Sequence, residues 1–290
     1  MHPNGTRALI PAGFSEHFVS IDGHRMRYLH GGRGPKLLLI HGLMGYSFSW
    51  TEVAPALARN YAIFAPDMLN LGLSDRADVE PSLKGMADRM WRFADVVGIQ
   101  GATLLASSQG GAIAMKMAIT SRERVESLIL VSPAHPWSEK SRWQIRLFSS
   151  VLGAPIAWSM SIAPRLWMAL GLYRLYGDFA KMPAGTISGY CRPIDRKMLA
   201  YLLRVTRRWY EDFDGLKQEI SRIADIPTLL IWGTRDRIVP ASTAPDLKAQ
   251  FHHVALEVVA GAGHLPYEEV PEEFLAALER GRRTLEAKHV

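Results

Sequence analysis

Ser108 stands in the pattern Ala106-Ser107-Ser108-Gln109-Gly110, directly after the apolar pair Leu104-Leu105 and shortly before the Ala/Met-rich stretch Ala112-Ile113-Ala114-Met115. Small-x-Ser-x-Gly at the junction of a strand and a helix predicts a sharp turn that lifts a nucleophilic hydroxyl clear of a sheet. Ala106 and Gly110 are small because strand and helix approach too closely there for larger side chains, and Gly111 lets the helix pack on the sheet. A serine hydroxyl is a weak nucleophile at neutral pH, so it needs a base to take its proton and a third group to orient that base. Two later segments offer them. Asp236 follows the apolar run 228–232 within Gly233-Thr234-Arg235-Asp236-Arg237, and His264 follows the run 255–259 within Gly261-Ala262-Gly263-His264-Leu265. His264 would accept the serine proton, and Asp236 would hold the imidazole in the right tautomer.

Acyl transfer also needs two NH donors aimed at the developing oxyanion, one from the residue after the nucleophile and one from the loop after the third strand. The buried run Lys36-Leu37-Leu38-Leu39-Ile40 ends in His41-Gly42-Leu43-Met44-Gly45, so these donors would be the backbone NH groups of Gln109 and Leu43. Asp67-Met68-Leu69-Asn70-Leu71-Gly72-Leu73-Ser74 follows a further strand, 61–65. With these segments in the order Ser, Asp, His, the chain resembles the α/β-hydrolase superfamily, specifically its capped esterase, lipase and perhydrolase-like members, over roughly residues 14 to 285. The resemblance implies that His41 organises its loop by hydrogen bonding and is not a base. It also separates this chain from the dehalogenases and epoxide hydrolases, which place Asp at the turn where Ser108 stands. Position 132, after the sixth strand, is Ser, which leaves Asp236 as the acid.

The activity expected is hydrolysis of carboxylic esters of small to medium hydrophobic substrates, through an acyl-enzyme on Ser108 and with no cofactor or metal. A carbon-carbon bond hydrolase or a perhydrolase is the alternative. Leu265-Pro266 follows the histidine where carbon-carbon hydrolases of aromatic catabolism often carry Trp, which favours the ester reading. A ligand-binding receptor that kept the fold without catalysis is the alternative from a different class.

The elements that must position these residues read as alternating strands and helices. Strands are expected near 15–21, 25–30, 36–41, 61–66, 102–107, 126–131, 227–232 and 254–259, several of them continuous apolar runs, as strands buried on both faces of a parallel sheet should be. Helices are expected near 49–59, 83–97, 109–121, 243–250 and 271–287. The fold class is therefore α/β: a mostly parallel eight-stranded sheet with helices on both faces and the ligand site at the carboxyl ends of the strands.

Between the sixth and seventh strands the alternation stops. Residues 1–133 and 225–290 are read as the core domain and 134–224 as an inserted helical cap, rich in Trp and Met. That segment holds fourteen Lys and Arg against seven Asp and Glu, an excess of seven beside a whole-chain net charge of +6, so the cap carries the basicity. Its Trp and Met residues are expected to form its own core and its contact with the main domain; a sharper reading has some of them lining an acyl or aryl pocket. Residues 147–164 carry no formal charge but contain Gly153, Pro155 and four serines, a poor spanning helix. Contact of this stretch with an anionic lipid surface, through Arg146 and Arg165, is the lesser reading beside a solvated cap.

Composition limits the remaining classes. The lone Cys191 forms no internal disulfide and has no helper motif, and the start of the sequence lacks a cationic region followed by a long apolar run; a cytoplasmic protein is the expectation. His252-His253 has no third spaced ligand, so no metal site is expected. No nucleic-acid module accompanies the basic charge. Ser107 is expected to be structural or a hydrogen-bond partner in the pocket, and Asp75 and Asp78 surface loop residues. Nothing in the composition bears on oligomeric state.

Overall fold

Eight strands form one sheet in the order β1-β2-β4-β3-β5-β6-β7-β8. They are β1 (Phe14–Ile21), β2 (His24–Gly31), β3 (Lys36–Ile40), β4 (Ala62–Pro66), β5 (Ala102–Ser107), β6 (Val125–Val131), β7 (Thr228–Gly233) and β8 (Val254–Val259). β2 runs antiparallel to both β1 and β4, and every other pairing is parallel. This is a computed structural model, and it describes residues 7–138 and 143–287, apart from the side chains of Trp143 and Gln144. The start of the chain, and Lys140, Arg142 and the Trp143 side chain of the basic, Trp-rich segment, lie outside the described residues.

The continuous apolar runs of the central strands have a direct structural cause. Successive side chains of a strand point to opposite faces. In β3, Leu38 and Ile40 join one core cluster while Leu37 and Leu39 join the other; in β7, Leu230 and Trp232 oppose Leu229 and Ile231 in the same way. Both faces are covered, so both sets must be apolar. The first cluster packs beneath α2 (Leu83–Val96) and α3 (Gln109–Thr120), and the second beneath the carboxyl-terminal helix (Pro271–Ala287).

One expected helix is replaced. Residues 49–59 form a short 3-10 turn, Ser47–Trp50, followed by the single turn α1 (Ala54–Leu57) with Pro55 at its start. Pro55 supplies no NH, so it suits the first turn of a new helix but would break an older one. Trp50, fully buried, stacks at 4.4 Å on Tyr267 and makes that turn part of the second core.

Between β6 and β7, the described residues of 134–224 add five α-helices and no strand: α4 (Trp143–Ser149), α5 (Gly153–Ile162), α6 (Pro164–Leu175), α7 (Thr186–Cys191) and α8 (Arg196–Glu219). α8 is amphipathic by design of its sequence: Met198, Leu202, Val205, Trp209, Phe213 and Leu216 recur at three- and four-residue spacing and are buried. Asp195 caps it, accepting from the Met198 NH at 2.7 Å. Met160, Met168, Met198 and Trp209 are buried in the core clusters, as the plainer reading of the Trp and Met residues expects. Trp158 departs from that reading, because its side chain faces solvent. No helix among the described residues is long and apolar enough to cross a membrane.

Polar links tie residues 134–224 to the rest of the chain. Arg76 bonds Asp195 at 2.8 Å, Arg204 bonds Asp78 at 2.7 Å, Asp212 accepts from the Leu83 NH at 3.1 Å, and Lys116 pairs with Glu219. The exposed pair involving Asp78 fits its expected place in a surface loop and adds little stability.

Candidate active site

β5 ends at Ser107, and α3 begins one residue after Ser108. Ser108 takes φ +55° and ψ −125°, a conformation that L side chains rarely adopt and that the surroundings must impose. Its NH donates to the Val131 carbonyl of β6 at 3.1 Å, and its carbonyl accepts from Gly111 and Ala134 at 2.9 and 2.8 Å. Those three bonds fix the turn from both sides. At Gly110 a Cβ would lie 2.5 Å from the His41 carbonyl, so strand and helix meet backbone to backbone, as the small residue in the motif requires. Ser107 is fully buried and its hydroxyl accepts from Tyr267 at 3.0 Å, which gives it the structural role expected.

Strand register brings the other residues to the same edge of the sheet. Ser107 pairs with Val131, Val131 with Ile231 and Ile231 with Glu257, so the segments that follow β5, β6, β7 and β8 all leave from one edge. Asp236 lies in the loop after β7 and His264 in the loop after β8. Asp236 Oδ2 accepts from His264 Nδ1 at 2.8 Å, and Asp236 Oδ1 accepts from the NH groups of Ile238 and Val239 at 2.8 and 2.9 Å. A carboxylate can only accept here, so Nδ1 carries the hydrogen and Nε2 is left with its lone pair available. Both side chains are nearly excluded from solvent.

The loop after β3 approaches Ser108 from the other side. A Cβ on Gly42 would lie 2.9 Å from Ser108 Cβ and 3.5 Å from its Oγ, which places this loop directly against the hydroxyl. Gln109 opens α3, where a helix leaves its first NH groups without internal partners. Among the described residues neither the Gln109 NH nor the Leu43 NH donates to another group.

His41 holds that loop. Its Nδ1 donates to the Gly42 carbonyl at 2.9 Å, and its Nε2 accepts from the Met68 NH at 3.1 Å. Both ring nitrogens are therefore occupied by backbone, and burial pushes the imidazole below its ordinary value, keeping it neutral. Met68 follows Asp67, whose carboxylate accepts from the NH groups of Ser47 and Leu73, each at 2.8 Å, and from Arg27 at 3.1 Å. The Asp67–Ser74 segment thus serves as a frame for the loop that carries Leu43.

The network behind His264 was not foreseen. Glu268 and Glu269 lie in a short helix, Pro266–Glu269, that no sequence pattern marks, and both are buried. Glu268 pairs with Arg7 at 2.5 Å, accepts from Tyr176 at 3.0 Å and is bonded by Tyr190. Burial and the Glu268 charge push both tyrosines well above their ordinary values, so they remain neutral donors. Glu269 accepts from the NH groups of Gly177, Asp178 and Gly263, at 3.0, 2.7 and 2.7 Å. Adjacent acidic residues in a sequence usually mark a solvated face, and the partners here are remote in the chain; only their position directly after the His264 segment hinted at a role. No group of His, Cys, Asp and Glu among the described residues has the arrangement of a metal site.

Comparison with known proteins agrees with this architecture. An uncharacterized protein of Mycobacterium tuberculosis is 29% identical over 282 residues, covering 93% of this chain and 81% of that one. The 2-hydroxy-6-oxo-6-(2'-aminophenyl)hexa-2,4-dienoic acid hydrolase of Metapseudomonas resinovorans is 27% identical, covering 92% of this chain and 90% of its own length. The crystal structure of Cfl2 from Burkholderia cenocepacia superposes with a TM-score of 0.84 at 22% identity, covering 95% of this chain and 98% of that one, and so shares the fold. Residues 35–271 match the family described as alpha/beta hydrolase fold, more than half of the sequence, and the chain belongs to the alpha/beta hydrolase family.

Proposed function

We propose that this protein is a serine hydrolase that cleaves carboxylic esters of small to medium hydrophobic substrates. The observation that carries the reading is the strained Ser108 turn at the edge of the sheet where His264 and Asp236 are hydrogen-bonded to one another. In this reading His264 Nε2 takes the proton of Ser108 Oγ as the oxygen attacks the ester carbonyl. Asp236 stabilises the imidazolium that results. The NH groups of Leu43 and Gln109 receive the oxyanion, for which they are uncommitted. Collapse of the tetrahedral intermediate releases the alcohol, which takes its proton from His264 and leaves an acyl group on Ser108. Water deprotonated by the same histidine then releases the acid.

The helices of 134–224 act as a cap over that edge in this reading, and no metal, cofactor or nucleic acid takes part. The decisive experiment is a fluorophosphonate label together with p-nitrophenyl esters of graded chain length. Rapid labelling at Ser108 with ester turnover supports the proposal; an unlabelled, inactive protein supports the non-catalytic receptor.

One observation favours a second reading. The Metapseudomonas resinovorans relative covers nearly the whole chain and is a hydrolase of a dienoic acid. A carbon-carbon bond hydrolase using the same residues is therefore the alternative, and a vinylogous diketone assayed beside the esters separates the two.

A further inference from the structure

α5 and α6 are apolar on both faces, and only one face of each is buried. Ala157 and Met160 of α5 and Met168 and Leu172 of α6 face inward, with exposures of 7, 6, 7 and 1%. The outward side of a solvated helix should be polar. Instead, Trp158 and Ile162 of α5 are 60 and 59% exposed, and Leu166 and Leu170 of α6 are 60 and 52% exposed. Spacing of four residues sets each pair on one helical face. Val151, in the turn before α5, is 91% exposed and Tyr173 continues the outer face of α6.

The charge around this surface has one sign. From 143 to 177 the sequence contains no Asp or Glu, while Arg146, Arg165 and Arg174 are exposed. Arg165 reaches Ser188 at 3.3 Å and Arg146 reaches Tyr210 at 3.2 Å, so neither is neutralised by a carboxylate there. Arg237 adds a further cation over the Tyr173 ring, at 5.9 Å. A contiguous exposed apolar patch marks an interaction surface. Two copies meeting face to face would bring Arg146 and Arg165 of each together, four cations that no carboxylate neutralises, which disfavours self-association through this face.

We propose that the outer face of α5 and α6 docks on an anionic lipid bilayer, with the helices lying in the plane of the interface. The aliphatic side chains enter the acyl boundary, Trp158 sits at headgroup depth and the arginines meet lipid phosphates. The proposal is independent of whether Ser108 reacts. α6 nonetheless connects the two regions, because the Leu175 carbonyl at its end accepts from the His264 NH.

The test is co-sedimentation of the full chain with phosphatidylcholine vesicles and with vesicles in which about one third of the lipid is phosphatidylglycerol. Binding to the anionic vesicles should exceed binding to phosphatidylcholine by about tenfold or more and weaken with added salt. A Trp158→Ser, Leu166→Ser, Leu170→Ser triple variant should melt at or near the native temperature and lose about tenfold or more of that binding. Arg146→Glu and Arg165→Glu should each cost about fivefold or more. Equal binding to both vesicle types, no binding to either, or unchanged binding by the triple variant overturns the proposal. So does a dimer in solution that the Leu166→Ser, Leu170→Ser substitutions dissociate, which would assign the face to a second copy. The native-protein comparison of the two vesicle types stands even where a variant fails to fold.

Discussion

The His264 NH donates to the Leu175 carbonyl at 2.6 Å, so the loop carrying the proposed base is bonded to the last turn of α6. The surrounding backbone is packed without side chains. A Cβ on Gly263 would fall on the Gly177 NH and the Leu175 carbonyl and lie 2.6 Å from the Tyr176 carbonyl carbon; one on Gly177 would lie 2.5 Å from the Gly261 carbonyl. The 175–177 and 261–263 segments therefore meet main chain to main chain beside His264. Glu269 spans the same junction by accepting from Gly177, Asp178 and Gly263.

Gly263→Ala should consequently act on activity as well as stability. The added methyl must push the 175–177 segment away, and overpacking of this kind costs about 1–3 kcal/mol. Because the displaced group is bonded to His264, kcat should fall by more than KM changes. Thermal melting and steady-state kinetics on the same sample check both; an enzyme that melts lower but keeps its kcat would uncouple the junction from the base.

Ser108→Ala should abolish ester hydrolysis, by on the order of three powers of ten or more, with little change in melting temperature. The hydroxyl contributes no bond to the core, since the turn is fixed through the NH and carbonyl of Ser108. Ser107→Ala removes the acceptor of the Tyr267 hydroxyl within the second core, and should lower stability by about 1–3 kcal/mol while leaving most turnover. A reversal of these two outcomes would place the nucleophile one residue earlier.

The central strands were legible because they are continuous apolar runs, and the observed limits of all eight strands fall within a residue of those expected. Ser108, Asp236 and His264 stand out in the sequence as candidates because each follows such a run in a short, glycine-bearing segment. Other features answer to relationships that a linear pattern does not carry. Arg7 and Glu268 are 261 residues apart, and nothing in the composition around either says that both are buried. The helix expected over 49–59 gives way to a 3-10 turn because Trp50 is drawn onto Tyr267, a long-range packing choice that overrides local preference. For the outer faces of α5 and α6 the sequence favours a solvated cap over lipid contact, since an uncharged stretch does not reveal which of its side chains a fold will cover.

Breaking the Arg7–Glu268 pair should be strongly destabilising. Both side chains are fully buried, and the charge that remains after Arg7→Met has no water to solvate it. Burial alone would lower the Arg7 value, yet the Glu268 charge beside it holds it above the ordinary one. A loss of about 3–5 kcal/mol is expected from Arg7→Met in denaturant unfolding. Adding Glu268→Gln should recover part of it. If the double variant is no more stable than the sum of the two single losses, the pair is not coupled.

His41 sets a pH dependence of stability. Its folded value is lowered below 6.5 by burial, so as pH falls the unfolded chain takes up the proton first. The contribution is present above about pH 6.5 and is lost as pH falls toward the folded value. Melting temperature should therefore decline between about pH 7 and pH 5 in the native protein, and the decline should be shallower in His41→Asn, which preserves one donor and one acceptor for the loop. Parallel curves for the two proteins would show that other groups carry the acid sensitivity.

Catalytic efficiency should rise with the length of the acyl chain. Leu43 and Met44 lie in the loop that Gly42 presses against Ser108, and both are half-buried and packed on the core, so the surroundings of the hydroxyl on that side are apolar. An acyl group that covers such surface removes it from water at about 0.8 kcal/mol per methylene, or roughly fourfold in kcat/KM for each added carbon until the space is filled. Met160, Met168, Met198 and Trp209 are committed to the core clusters, which limits how much further apolar surface residues 134–224 offer to a longer acyl chain and predicts a plateau at medium length. A series of p-nitrophenyl esters from acetate to laurate measures both the slope and the plateau. A steady preference for acetate would show that Leu43 and Met44 close the space beside Ser108, and Leu43→Ala should then shift the optimum toward longer acyl chains, since its NH, the proposed oxyanion donor, survives the substitution.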